Sequence, residues 1–408
     1  MNPRSRITLS LLSLTVLSLA CSMLTTPPAL PTPTLHADPV ITEASPVTET
    51  PPSQPAAMNL PAGFATAIEQ TLTVYDMNGV QQAQITLPQL TFPGRDRIHL
   101  AGKMPASGGT VPLLYFSYDN GESLHFRDGA GQIFALVNGS SFLGLTGAAG
   151  QPIVAFSQIE YLDESLRSKI YVGSIQSLPS AAPVSVIDDP EAWAIKPIRV
   201  EAENGTPTRV WYTRIAYGIG GDIVFEPRKG LFILDVASGQ VNIILNNDIA
   251  PWAISPDTNW VAYSTGDWQT GPMCIKNLVT SAESCFPLLP ANDSRGAGNA
   301  FFSLDAQYMA WMEGDGAQMA EVPSFKATVR VGQIDGAIIA DLPMNAFERA
   351  AGIGPVSRAE PVTWLDNQTL VVQVRGQEWS QAALVRYNVV SQEIAYLASG
   401  EFVGLLYP

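Results

Sequence analysis

The hydrophobic positions of the chain repeat one short pattern at intervals of about 40 to 60 residues. In its clearest copy, Leu231 and Ile233 alternate with other residues, and the polar Asp235 follows. Alternation with a period of two is typical of a β-strand that has one buried face. Gly239 then supplies a residue that tolerates the positive φ of a tight turn. This pattern predicts a β-hairpin.

Further copies of the hairpin pattern continue to the C-terminal part of the chain. They begin at Leu72, Leu124, Ile170, Met273, Val329 and Leu384. A second recurring segment, clearest at 252–263, predicts two more strands joined by a Ser-Pro-Asp turn. Four short strands repeated at this interval are typical of the blades of a β-propeller. The sequence therefore predicts an all-β fold, a seven-bladed β-propeller of four-stranded antiparallel blades.

The segment 252–263, WAISPDTNWVAY, resembles the WD40-like repeat of TolB-type β-propellers. The core of that repeat reads W-x-S-P-D-G-x-x-I-A-F, and this chain has Thr258 in place of the glycine. The resemblance is sharp over 231–313, and it implies a propeller over 64–408. It implies no particular activity, because propellers of this type have many unrelated functions.

The two ends of the repeat region complement one another. The region begins with the outer hairpin of a blade, at Leu72 to Leu87, and ends with an incomplete copy of the other segment, at Phe402 to Tyr407. We expect the N-terminal and C-terminal strands to pair in one blade. That pairing closes the ring and leaves no free sheet edge.

Residues 1–21 resemble a bacterial lipoprotein signal peptide. Arg4 and Arg6 precede an apolar run that is too short to span a bilayer permanently. The segment that ends at Cys21 resembles a lipobox, which implies that Cys21 is lipidated. Ordinary cleavage and an uncleaved anchor are the alternatives. We expect an exported protein that Cys21 anchors to the outer surface of a bacterial membrane.

Residues 22–63 are predicted to be a disordered tether, because the stretch is rich in Pro and Thr and has no Lys, Arg or aromatic residue between positions 25 and 61. The formal net charge of the chain is −15, which argues against nucleic acid and against an anionic lipid surface as partners. We therefore expect membrane contact only through the lipid anchor, and a monomeric head at 64–408.

Two cysteines fall in one predicted hairpin. Cys274 and Cys285 stand at equal distances from its turn, so they should lie opposite each other. Opposed strand positions bring Cα atoms into the range that a disulfide can bridge. Export provides an oxidising compartment. The sequence therefore predicts a Cys274–Cys285 disulfide.

Motifs of known catalytic or metal chemistry are missing from the sequence. It has no nucleophile elbow, no HExxH zinc motif and no calcium-loop pattern, and its three histidines are explained as structural or solvated residues. We therefore expect no enzymatic activity, no cofactor and no metal. The alternatives are a propeller enzyme, a polysaccharide hydrolase or lyase using acidic loop residues, or a structural component of the envelope.

The loops predict a ligand-binding face. Links between the second and third strands of a blade, and links between blades, are expected to be long and to emerge on the same side. Aromatic and acidic residues of these links form the predicted face: Tyr161, Asp163, Tyr217, Asp267, Trp268, Phe325, Glu378 and Trp379. We interpret it as the binding surface for an envelope protein, a peptide or a glycan. The alternative is that the aromatic rings cover the rims of the blades.

Overall fold

The structure is a computed structural model. It describes residues 60–90, 96–105, 109–118, 122–139, 141–163, 165–218, 224–265, 271–291, 295–315, 327–377 and 381–408. These residues form seven antiparallel sheets of four strands each. The predicted seven-bladed β-propeller is confirmed. The predicted signal peptide, Cys21 and nearly all of the predicted tether lie outside the described residues.

The first three blades are formed in chain order after three strands of the closing blade, blade 7. Blade 7 takes β1 (Gly63–Ile68), β2 (Thr71–Asp76) and β3 (Gln81–Thr86). Blade 1 consists of β4 (Ile98–Leu100), β5 (Leu113–Tyr118), β6 (Glu122–Arg127) and β7 (Ile133–Asn138). Blade 2 consists of β8 (Phe142–Gly147), β9 (Ile153–Tyr161), β10 (Leu166–Ser174) and β11 (Ser185–Asp189). Blade 3 consists of β12 (Trp193–Glu203), β13 (Thr206–Ala216), β14 (Arg228–Asp235) and β15 (Val241–Leu245).

The remaining blades follow the same plan. Blade 4 consists of β16 (Ile249–Ile254), β17 (Trp260–Thr265), β18 (Met273–Asn277) and β19 (Glu283–Phe286). Blade 5 consists of β20 (Arg295–Phe302), β21 (Tyr308–Asp315), β22 (Ala327–Gln333) and β23 (Ile338–Pro343). Blade 6 consists of β24 (Arg358–Trp364), β25 (Thr369–Arg375), β26 (Ala382–Asn388) and β27 (Ile394–Ser399), and β28 (Glu401–Leu406) completes blade 7. A 3₁₀ turn (Leu178–Ser180) follows β10, and the helix α1 (Asn345–Ala351) links blades 5 and 6.

The ring closes as predicted, by pairing of the two terminal strands. β28 is the innermost strand of blade 7 and is antiparallel to β1, with Ala65 opposite Gly404. Just before β1, the backbone N–H of Ala62 donates to the carbonyl of Leu406 at 2.7 Å. The first and last strands therefore hold each other in one sheet, and neither is left as an unpaired edge.

The blades pack face to face through apolar layers. One layer joins blades 2 and 3 through Ile153 and Val210, and another joins blades 4 and 5 through Ile275 and Trp311. In the three clearest copies of the second segment, a buried core residue follows the turn aspartate by six positions; these residues are Tyr263, Trp311 and Val372. Burial of such layers is the main stabilising contribution in a sheet protein of this kind.

The Ser-Pro-Asp turn explains part of the repeat. The Ser255 hydroxyl donates to the Asp257 carboxylate at 2.5 Å and accepts the backbone N–H of Trp260 at 2.9 Å. Thr258 occupies the family's glycine position and has a φ of 63°. A left-handed conformation is unfavourable for a β-branched residue, which is the physical reason for a glycine there.

One expectation about the links is wrong. Three residues separate β7 from β8, β11 from β12 and β15 from β16, and Gly400 alone separates β27 from β28. These four links between blades are therefore short, although long ones were expected. A blade is three strand spacings wide, about 14 Å, and an extended three-residue link spans about the same distance, because four Cα–Cα steps separate the strand residues that flank it. Gly400 makes its turn with a φ of 98°.

The predicted disulfide is present. Cys274 on β18 and Cys285 on β19 are directly opposed, and their Cα atoms are 4.0 Å apart. The bond joins the two outer strands of blade 4. Cys274 is buried and Cys285 is exposed.

Candidate ligand-binding channel

The innermost strands bulge where they line the central channel. In six blades, the innermost strand has one residue more than its neighbour at one point of the pairing. A bulge bends a strand and turns a side chain out of the regular alternation. The bulged positions include residues that line the channel cavities, namely Leu145, Ile198, Trp252, Asn299, Val362 and Val403.

Proline marks three of these bulges. Pro197, Pro251 and Pro361 each stand one residue before the bulged position. Proline has no N–H to give to a ladder of hydrogen bonds, so it is tolerated in a sheet mainly at edges and bulges. A recurring proline followed by an apolar residue is therefore a signal, readable in the sequence, for the strands that face the channel.

The channel has two different ends. At the loop end the innermost strands begin, and a cavity of about 640 Å³ is lined by residues that include Lys196, Glu226 and Glu360. At the turn end the innermost strands finish, and two adjoining cavities of about 510 and 480 Å³ are present. Phe301 lines all three cavities, so its ring lies at the boundary between the two ends.

Lys196 is the centre of one group of charges at the loop end. Its Nζ is 2.8 Å from an oxygen of Asp96 and 2.8 Å from an oxygen of Glu226. The other oxygen of Glu226 accepts from the guanidinium of Arg228, at 3.0 Å from Nη2. Asp96 precedes blade 1, and the other three residues belong to blade 3 and its β13–β14 link. The group therefore joins two blades that are separated in the ring by blade 2.

Glu360 is the centre of a second group. Its carboxylate accepts from Arg358 at 2.8 Å, from Arg375 at 2.7 Å and from the Asn299 amide at 2.9 Å. Arg375 also donates to Glu401, through Nε at 2.7 Å. Blades 5, 6 and 7 contribute to this group. Most of these side chains are at least partly buried, and each charge has a partner of opposite sign.

An aromatic wall completes the loop end. The guanidinium of Arg228 lies over the ring of Trp252, with Cζ 4.8 Å from the centroid. The indole N–H of Trp252 donates to the Ser264 hydroxyl at 2.9 Å. Phe225 packs edge-on against Trp252, with 5.8 Å between the ring centroids. The indole is thus fixed from several directions and offers an apolar surface to the cavity.

Lys196 and Glu226 of the first cluster are both charged at neutral pH. Burial lowers the pKa of Lys196, but the carboxylates of Asp96 and Glu226 outweigh it, so that the pKa is raised overall. Burial raises the pKa of Glu226, but Lys196 and Arg228 outweigh it, and the pKa is lowered. Glu226 is therefore held as a carboxylate that accepts hydrogen bonds. It does not have the raised pKa that a general acid needs near neutral pH.

Three of the eight residues of the predicted binding face lie in the described part of the chain. Tyr161 and Tyr217 are neighbours, with ring centroids 5.9 Å apart, and Tyr217 lines the loop-end cavity. Tyr161 and Asp163 are exposed. The other five predicted positions fall outside the described residues: Asp267, Trp268, Phe325, Glu378 and Trp379.

The charged residues of the channel were missed by the sequence analysis. Lys196, Asn299 and Glu360 lie on innermost strands, and Glu226 lies just before β14. They are far apart along the chain, and only closure of the ring brings them to one cavity. The prolines at the bulges could have pointed to Lys196 and Glu360, since each of these two residues directly precedes one.

Within the described residues, no group of three or more His, Cys, Asp or Glu side chains is arranged to hold a metal ion. In the same part of the chain, no helix has the length and apolar character needed to cross a bilayer.

The chain was compared with known proteins. It matches no protein-family model and none of the curated proteins. Similar solved structures include an oligogalacturonate lyase in complex with manganese, with a TM-score of 0.47, 13% identity and coverage of 84% of this chain and 86% of that one. TolB from Acinetobacter baumannii has a TM-score of 0.39 and 12% identity, over 84% of this chain and 80% of that one. Prolyl oligopeptidase B from Galerina marginata has a TM-score of 0.48 and 8% identity, over 84% of this chain and 52% of that one.

One prediction is corrected by these comparisons. The missing catalytic motifs led to the expectation that the chain is not an enzyme, and that expectation is wrong. The similar structures include a lyase and a peptidase alongside TolB. The class of protein that the seven sheets define is a β-propeller, and a propeller does not exclude catalysis.

Proposed function

We propose that the protein is an exported propeller that binds a neutral, hydroxyl-rich ligand, a glycan, at the loop end of its channel. The observation that supports it is the balanced array at that end, in which three cations (Lys196, Arg228 and Arg358) stand with three carboxylates (Asp96, Glu226 and Glu360). Such an array needs no charge from a ligand. It offers both N–H donors and carboxylate acceptors, and a sugar hydroxyl both donates and accepts.

The size and the apolar wall of the cavity agree with this ligand class. A volume of about 640 Å³ is within the range of small-molecule sites. Trp252 and Phe301 line the same cavity. Their rings can pack on the C–H faces of a sugar while the charged groups bind its hydroxyls. Fixed side chains lose little entropy when a ligand binds, which favours affinity.

The ligand class is tested by calorimetry on the full-length protein with trisaccharide probes. We expect the neutral probes chitotriose and cellotriose to bind more tightly than anionic trigalacturonate or cationic triglucosamine. Lys196→Met combined with Glu226→Gln keeps the net charge and should weaken neutral binding by about tenfold or more. The matched control is Lys169→Met with Glu160→Gln, which removes an ion pair outside the channel.

Failure of every neutral saccharide to bind, or equal effects of the two double variants, would refute the proposed site. Mass spectrometry of the same incubations determines whether a bound saccharide is also cleaved. That readout matters because several proteins with similar propellers are enzymes.

Export and lipidation form a second part of the proposal. The Cys274–Cys285 disulfide supports an oxidising compartment, because such bonds are rare in the cytosol. We expect metabolic labelling with an alkyne fatty acid to mark the wild-type chain and to be lost in Cys21→Ala. Thiol labelling of intact cells should leave Cys274 and Cys285 unmodified. Unchanged lipid labelling in Cys21→Ala would contradict the anchor.

A further inference from the structure

The turn end of the channel contains an arginine that has no carboxylate partner among the described residues. Arg199 lies on β12 beside the bulge and lines the 480 Å³ cavity. Its Nη1 donates to the carbonyl of Ser255 and its Nη2 to the carbonyl of Pro256, each at 2.7 Å. These neutral acceptors fix the guanidinium against the next blade. They do not neutralise its charge, and three of its five N–H groups donate to no described residue.

The carboxylates nearest to Arg199 are committed elsewhere. Glu201 accepts the indole N–H of Trp211 at 2.7 Å and pairs with Arg209 at 3.5 Å. Asp257 accepts from the Ser255 hydroxyl inside its own turn. Neither forms an ion pair with Arg199 in the described residues. Burial accordingly lowers the pKa of Arg199 despite these acids, which is the sign of a cation that has lost water without gaining a partner.

The surroundings of Arg199 are otherwise apolar. No aspartate or glutamate is among the described residues that line the two turn-end cavities. The walls around Arg199 are mainly hydrocarbon and aromatic, from Ile198, Val200, Trp252, Ile254, Phe302 and Leu304. Lys103 adds a second cation on the rim of the adjoining cavity. The chain as a whole has a net charge of −15, whereas the charged side chains among the described residues that line these two cavities are cationic.

Two polar atoms of the adjoining cavity also lack partners. His99 Nε2 and Gln151 Oε1 are buried and form no hydrogen bond with described residues. Buried polar atoms are rarely left unpaired in proteins, because the loss of water costs free energy. They add an independent reason to expect a ligand at this end.

We propose that the turn end is a second ligand site, which binds an organic monoanion with an apolar body, such as a medium-chain carboxylate, through Arg199. The carboxylate takes the free N–H groups of the guanidinium, and the tail lies along the apolar wall. A charge-assisted pair is strongest where water is excluded. The site is separate from the loop-end array and does not depend on the function proposed for it.

The test uses calorimetry with decanoate and its neutral isostere decanamide on the full-length protein. We expect the wild type to bind decanoate about tenfold or more tightly than decanamide. Arg199→Gln should remove that preference. Arg386→Gln is the matched control, because Arg386 lies on β26 and lines none of the three channel cavities. The loop-end double variant should retain decanoate binding.

A second variant keeps the test decisive if Arg199→Gln does not fold. Ala149 is exposed and lines both turn-end cavities, so Ala149→Trp should block decanoate without disturbing the core. Equal binding of decanoate and decanamide to the wild type overturns the proposal. So does a preference that survives in Arg199→Gln, or decanoate binding that is unchanged in Ala149→Trp.

Discussion

The two ends of the channel are built by the same seven innermost strands and differ in chemistry. At the loop end, every lysine or arginine that lines the cavity has a carboxylate partner within 3.0 Å. At the turn end, Arg199 is held by two backbone carbonyls and meets an apolar wall. The charges of the loop-end array already neutralise one another, so this end suits a neutral ligand. An unpaired cation in an apolar chamber favours an anion.

Loss of Glu360 should have the largest effect on stability, because it belongs to the paired end. Glu360→Leu leaves Arg358 without its carboxylate partner and the Asn299 amide without its acceptor, and it removes one partner of Arg375. Removing one member of a buried ion pair typically costs about 3–5 kcal/mol. Arg199→Gln at the other end removes two hydrogen bonds to carbonyls and should cost only about 1–3 kcal/mol. Urea denaturation measures both, and equal losses would contradict the contrast between the two ends.

The pH dependence of stability should also distinguish the ends. Burial lowers the pKa of His99 at the turn end to about 4. The unfolded chain then binds the proton first, so stability falls as the pH drops from about 6.5 to 4, by up to about 3 kcal/mol. At the loop end, the lowered pKa of Glu226 gives stability that is complete above about pH 4.5 and is lost only below it.

His99→Phe should therefore flatten the stability curve between pH 6.5 and 4.5, whereas Glu226→Gln should leave the slope in that range unchanged. Chemical denaturation at a series of pH values provides the measurement. A slope that persists in His99→Phe would show that another group titrates there. His125, whose pKa burial also lowers, is the first group to replace in that case.

The fold could be predicted from the sequence more fully than the site. The hairpin pattern recurs along one chain, so seven blades, their closure and the Cys274–Cys285 bond follow from local spacing. The channel array does not follow from local spacing, because two of its central residues, Lys196 and Glu360, are 164 residues apart in the sequence (360 − 196). Short-range patterns contain no information on which charges meet across a ring. The prolines that follow these two residues were the available signal.

The smallest predicted effect concerns the turns at the end where Arg199 lies. Thr258 and Ala306 have φ values of 63° and 56° in equivalent turns. Thr258→Gly and Ala306→Gly should each raise stability by roughly 0.5–1 kcal/mol, because glycine relieves the strain of the left-handed conformation. This value is a net gain, since the greater entropy of the unfolded glycine variant offsets part of the relief. Thermal unfolding checks this. Ala282→Gly, at a position with ordinary φ, should instead destabilise, and stabilisation by all three would contradict the argument.

The most direct test of the binding account is to locate a bound saccharide on the propeller. Chitotriose that carries a diazirine can be crosslinked to the full-length protein, and the modified peptides can be identified by mass spectrometry. The account predicts crosslinks at Lys196, Tyr217 or Asn299, assigned to single residues from the fragment spectra, and their loss in excess unlabelled chitotriose. Crosslinks confined to the turn end near Arg199, or to the outer strands of the blades, would contradict it.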